Sequence, residues 1–146
     1  MKKLLILSWC LYFSATCKQI PSSELVFVKA NNQSWSGGAA GSGHGINYNF
    51  YFVSKSHSLA GDSVWVQGYV LPVTTVISGD TIHFRAMAFF KGQMGGHPND
   101  QLPLVPKKEN PPLSATSAAI ISYSVGKIIR YAIVIDMKRL QPISYP

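Results

Sequence analysis

Residues 46–52 read Ile46-Asn47-Tyr48-Asn49-Phe50-Tyr51-Phe52, with Ile46, Tyr48, Phe50 and Phe52 on one parity and the amides Asn47 and Asn49 on the other. Side chains alternate across a strand, so this stretch predicts a β-strand with one buried and one wet face. Outward from it the alternation recurs. Val64, Val66 and Val70 stand opposite Trp65, Gln67 and Tyr69. Ile82, Phe84, Ala86, Ala88 and Phe90 stand opposite His83 and Arg85, and Ile129, Tyr131, Ile133, Ile135 and Met137 opposite Arg130 and Asp136. Further strands are expected at Leu25 to Lys29, Leu71 to Ile77 and Ala119 to Ser124, all rich in β-branched or aromatic residues. No stretch carries a helical period.

Turn chemistry separates these runs. Ala60-Gly61-Asp62, Ser78-Gly79-Asp80 and Val125-Gly126-Lys127 each place glycine where a tight reversal needs positive φ, and the last two are read as hairpins. About seven short strands at this spacing point to an all-β fold: a single antiparallel β-sandwich of immunoglobulin-like type, with a small β-barrel as the second choice. The Cys-Trp-Cys signature of true immunoglobulin domains is absent, so this likeness is architectural and carries no function.

The N-terminus sets where the domain works. Met1-Lys2-Lys3, an apolar run from Leu4 to Ala15 and then Thr16-Cys17 have the layout of an export signal, too short for a spanning helix. Residues 1–16 are read as the signal, 17–23 as a short tether and 24–146 as the domain. Ser14-Ala15-Thr16-Cys17 resembles a lipobox, which implies a lipid on Cys17; ordinary cleavage nearby, giving a soluble secreted protein, is the other reading. Cys10 is the only other cysteine and leaves with the signal, so no internal disulfide is expected.

The formal charge is +7, two of whose cations, Lys2 and Lys3, are also removed. The remaining basic residues are scattered, with doublets only at Lys107-Lys108 and Lys138-Arg139, and read as solvated charge. No Arg-rich run interleaved with aromatics is present, which argues against nucleic acid as a partner.

Two irregular stretches interrupt the strand rhythm. Gln33 to Gly45 holds Gly37, Gly38, Gly41, Gly43 and Gly45. It lacks a Gly-Lys-Ser/Thr ending and any dinucleotide pattern, so it reads as a tight loop or bulged edge and not as a phosphate nest. Gly92 to Pro112 holds five of the nine prolines and reads as an extended crossover between sheets, or alternatively as a partner-binding arm.

Candidate chemistry is thin. Met94 and His97 are weak candidate metal ligands, and no third ligand is placed beside them by spacing. No catalytic residue is identified: neither a Gly-x-Ser-x-Gly elbow nor a His-Glu-x-x-His helix occurs, and no cofactor is expected. Aromatics opposite the inferred core, Tyr51, Trp65, Tyr69 and Phe89, with Trp35 in the glycine-rich stretch, form a candidate binding surface for a sugar ring or a protein partner. Packing under loops is the competing reading.

The signal, the Trp35-Ser36-Gly37-Gly38 loop, the aromatic strand Asn47 to Phe52 and the run Gly61-Asp62-Ser63-Val64-Trp65-Val66 together resemble small lipoproteins of Bacteroidota-like bacteria that carry one β-sandwich domain. The resemblance implies a lipid anchor through Cys17 in the outer membrane, facing the periplasm, because Lys18-Gln19 supplies neither an inner-membrane retention cue nor an acidic export cluster. The expected role is non-catalytic binding or assembly with a membrane-protein partner or a glycan. The alternative is a small secreted or periplasmic enzyme or a Met/His metal-handling protein.

Overall fold

The computed structural model describes residues 25–38, 42–56, 58–90 and 106–146. The signal, the tether, Cys17, His57, Met94 and His97 lie outside the described residues. In chain order the strands are β1 (Val26–Ser36), β2 (His44–Val53), β3 (Leu59–Val66), β4 (Tyr69–Pro72), β5 (Thr74–Ser78), β6 (Thr81–Phe90), β7 (Lys107–Lys108), β8 (Ala119–Val125), β9 (Ile128–Val134), β10 (Lys138–Arg139) and β11 (Ile143–Ser144). They form two sheets. The first runs β10-β1-β2-β6-β5 with β11 also on β1, and the second runs β7-β4-β3-β8-β9.

The expected two-layer sandwich is therefore what forms, and no barrel closes. Pairing is antiparallel except where β10 and β11 run parallel to β1, because the chain leaves the second sheet after β9 and returns along the first. Phe50, Phe52, Ile82 and Phe84 from the first sheet meet Val64, Ile121, Tyr123 and Val134 from the second, all essentially inaccessible to solvent. Phe84 joins the layers, with its ring 5.7 Å from Phe52 and 6.3 Å from Tyr123. Each such side chain contributes about 1.5–3 kcal/mol on burial.

Four sequence expectations need correction. The run from Val64 to Val70 is not one strand but a hairpin, reversing at Gln67 (φ 51°) and Gly68 (φ 80°). Two left-handed residues in a row give a turn whose twist matches the flanking strands. The hydroxyl of Tyr48 donates to Gln67 Oε1 at 2.9 Å, fixing a side chain whose backbone is costly for a non-glycine residue. Because Val66 faces Tyr69 across the turn, Tyr69 packs against the core and Val70 shares the outer face with Trp65.

Gly61 does not make a turn. It lies within β3 beside a register shift, where an added Cβ would come within 2.6 Å of Val73 Cγ1 and 2.9 Å of Phe84 Cδ1. The run from Leu71 to Ile77 splits at Val73, where the chain passes from the second sheet to the first and the Val73 N–H donates to the Asp62 carbonyl at 3.0 Å.

The last strand has the opposite parity to the one expected. Ala132 and Val134 are buried, whereas Ile129 is 58% exposed and the strand ends before Ile135. Register with β8 decides this, since Ala132 faces Ile121 and Val134 faces Ala119, both in the core. The other predicted strands form, and Ser78-Gly79-Asp80 and Val125-Gly126-Lys127 are hairpin turns with Gly79 and Gly126 at positive φ.

Candidate functional site: the outer face of the six-stranded sheet

The polar parity of β2 that the sequence displays, Asn47 and Asn49, looks outward, and the register extends it across the sheet. Asn31, Asn49, Arg85 and Thr74 stand in one row, Gln33, Asn47 and Met87 in the next, and Trp35, Gly45 and Phe89 in a third. On the other side, Lys29, Tyr51 and His83 form a fourth. The result is an amide floor between two aromatic stations.

The floor is held by its own hydrogen bonds. Asn49 Nδ2 donates to Asn31 Oδ1 at 3.2 Å, and His83 Nε2 donates to Asn49 Oδ1 at 3.0 Å. Gln33 Nε2 donates to the Gln141 carbonyl at 3.0 Å. An acceptor oxygen on Asn49 requires the Nε2 proton on His83. Burial, with Arg85 as the second cause, lowers the His83 pKa below its ordinary 6.5. Asn47 and Arg85 make no side-chain hydrogen bond to another described residue and remain available to a ligand.

At one end the Tyr51 ring stacks on His83, centroids 4.2 Å apart, and Lys29 Nζ sits 4.9 Å from the Tyr51 centroid. Both faces of that ring are taken. At the other end Trp35 leans across Gly45, where a Cβ would come within 2.6 Å of the indole, and its ring lies 5.7 Å from Phe89 and 6.3 Å from Tyr145. Gly45 thus lets an indole lie down on the sheet as a platform.

Beside the floor opens a cleft of about 780 Å³. Its origin is topological: β5 pairs with β6 only as far as Arg85, whereas β4 belongs to the other sheet, so β6 from Ala86 to Phe90 pairs with no strand on that side among the described residues. Asn47, Asn49, Arg85 and Met87 line one wall, and Val70 to Pro72 with Pro106 and Lys107 the other.

The structure divides the aromatic candidates. Trp35, Tyr51 and Phe89 share the outer face of the six-stranded sheet. Trp65 is half-buried on the outer face of the opposite sheet, 6.4 Å from Tyr131, with its indole N–H buried and unpartnered among the described residues. Tyr69 faces inward, 6.0 Å from Phe90, and is no part of an exposed patch. Alternation alone identified Tyr51 and Phe89. It missed Asn31, Gln33 and Arg85 as partners of Asn47 and Asn49, since the spacing within one strand does not reveal which residues lie opposite on the next.

Of the glycine-rich stretch, Gln33 to Ser36 extend β1 and His44 with Gly45 begin β2, and the Gly37 N–H donates to the Gly43 carbonyl at 3.1 Å across the connection. No group of three or more His, Cys, Asp or Glu side chains that could hold a metal occurs among the described residues. No protein-family model, curated protein or solved structure matches this chain.

Proposed function

We propose that this chain is a non-catalytic binding module of the cell envelope whose outer β1-β2-β6 face recognises a glycan, with a lipid on Cys17 tethering it to the periplasmic side of the outer membrane. The observation that carries the reading is the row of half-buried amides between the Trp35–Phe89 platform and Tyr51. Sugar hydroxyls both donate and accept, and Asn and Gln are the side chains that answer with both functions. An aromatic plane receives the apolar face of a pyranose. The bonds that fix Asn31 and Asn49 before any ligand arrives lower the ordering cost of binding.

The test is calorimetry and array screening of the lipid-free domain against envelope and host oligosaccharides, with the variants Trp35→Ala, Asn49→Ala and Trp65→Ala. Loss of binding in the first two and retention in the third is expected. A domain that binds no oligosaccharide at all sinks the reading. Release of the full-length protein from membranes on Cys17→Ala is the matching test of the anchor.

The unpaired β6 edge from Ala86 to Phe90 favours a second reading, strand addition by an envelope protein. Cross-linking from a Met87→Cys variant, at an exposed position of that edge, to a co-purifying partner, with glycan binding absent, would favour it.

A further inference from the structure

We propose that the ligand of this face is an acidic glycan, whose carboxylate or sulfate groups are held by Arg85 and Lys138 at the two ends of the amide row. This inference rests on the glycan reading above and adds the charge of the ligand to it.

The six-stranded sheet contains no Asp or Glu on any of its strands, whereas it carries Lys29, Arg85, Lys138 and Arg139. The parallel register sets Lys138 opposite Asn31, so the row that begins Asn31-Asn49-Arg85 extends to Lys138 on the same face. Lys138 and Arg85 are exposed, and the two amides between them are half-buried. Three inter-strand steps separate the cations, about 14 Å, a span that a short oligosaccharide covers while its hydroxyls meet the amides. Lys29 stands over Tyr51 on the adjoining row and adds to the same field.

None of the described carboxylates lies on a strand of this sheet: Asp80 is in the β5–β6 turn and Asp136 precedes β10. Asp62 accepts from Ser63 and Ser122 on the other sheet, Glu109 pairs with Lys107 at 2.8 Å, and Asp136 accepts from the Met137 N–H. Strands that carry cations and no carboxylate raise the local concentration of an acidic polymer and disfavour a basic one. Arg85 is also a cation with geometry for two parallel bonds to a carboxylate or sulfate. Single-stranded nucleic acid suits the face less well, because a run of stacked bases needs successive open rings and both faces of Tyr51 are occupied, which leaves the Trp35–Phe89 station alone for stacking.

The experiment is titration of the folded domain with uronate oligosaccharides (galacturonate, mannuronate–guluronate and glucuronate–hexosamine types), each beside its carboxyl-reduced counterpart, at low and at physiological salt. The expected result is binding of at least one acidic form about tenfold tighter than its reduced counterpart, weakening with salt. Arg85→Gln and Lys138→Gln should each abolish that preference, Arg85→Lys should restore part of it, and Lys127→Gln, which removes a cation on the far β8–β9 turn, should leave it intact. Thermal melts of each variant check that the fold survives. Equal affinity for acidic and reduced forms overturns this inference and leaves the glycan reading standing. Absence of binding to every oligosaccharide, or tighter binding to a single-stranded oligonucleotide or to phosphatidylglycerol vesicles than to any sugar, overturns both.

Discussion

Gly61 shows how one residue carries two meanings. In the sequence Ala60-Gly61-Asp62 reads as a turn. In the fold it is the point where β3 passes so close to Val73 and Phe84 that a methyl group has no room, and where the Gly61 N–H donates to Thr75 Oγ1 at 2.6 Å. Gly61→Ala is expected to cost about 1–3 kcal/mol, the range for overpacking a core. Gly79→Ala, at φ 56° with open space around it, should cost about 1 kcal/mol from backbone strain alone. Urea midpoints of the two variants give the comparison; equal losses would refute the close-approach account.

Two titrating side chains give opposite pH signatures. Burial and then the neighbouring Tyr69 push the Tyr48 hydroxyl up to about 12. The unfolded chain therefore ionises first, and the stability due to the neutral hydroxyl is complete below about pH 10 and lost as the pH rises through about 12. Tyr48→Phe should flatten that alkaline loss while also losing the bond to Gln67. His83 is lowered, so its contribution is complete above the unfolded value of 6.5 and is lost as the pH falls through the lower folded value. Denaturant melts of wild type and His83→Gln from about pH 7.5 to about pH 4.5 should converge toward the acid end; parallel curves would contradict it.

At the scale of the element, β9 is where periodicity misleads. Ile129, Tyr131 and Ile133 form a flawless apolar alternation, yet it is the Ala132–Val134 parity that meets β8 in the core. Both parities of Ile128 to Val134 are apolar except at Arg130, so the strand by itself names no inner face. Pairing names it, through Ile121 and Ala119. Ile129→Thr should leave stability within about 0.5 kcal/mol, and Val134→Ala should cost about 2 kcal/mol from lost burial and the cavity left behind. Thermal melts that rank the two variants the other way round would restore the alternation first read in the sequence.

The whole molecule depends on contacts between layers. Phe84 touches Phe52 within its own sheet and Tyr123 in the other, and the core has no disulfide among the described residues to support it. Phe84→Ala is expected to cost about 3–5 kcal/mol, a large share of the 5–15 kcal/mol typical of a domain. Far-UV circular dichroism and Trp fluorescence should then lose signal together at a lower urea concentration. Separate transitions would show that the sheets are stable independently.

The sequence by itself determined the all-β class, the inner parity of β2 and β6, and the two glycine hairpins, because alternation and positive φ are local properties of a strand and a turn. It also determined that Asn47 and Asn49 face water. Only the tertiary structure decided which way β9 faces, that Val64 to Val70 folds back on itself, and that Tyr69 lies inside while Trp35 and Phe89 meet outside. The charges follow the same division. Lys29, Arg85 and Lys138 are scattered through the chain and read there as solvated, yet strand order brings them to one face of a sheet whose described strands carry no carboxylate. Cross-strand partners are set by register and sheet order, which depend on contacts distant in sequence, so no reading along one strand can supply them.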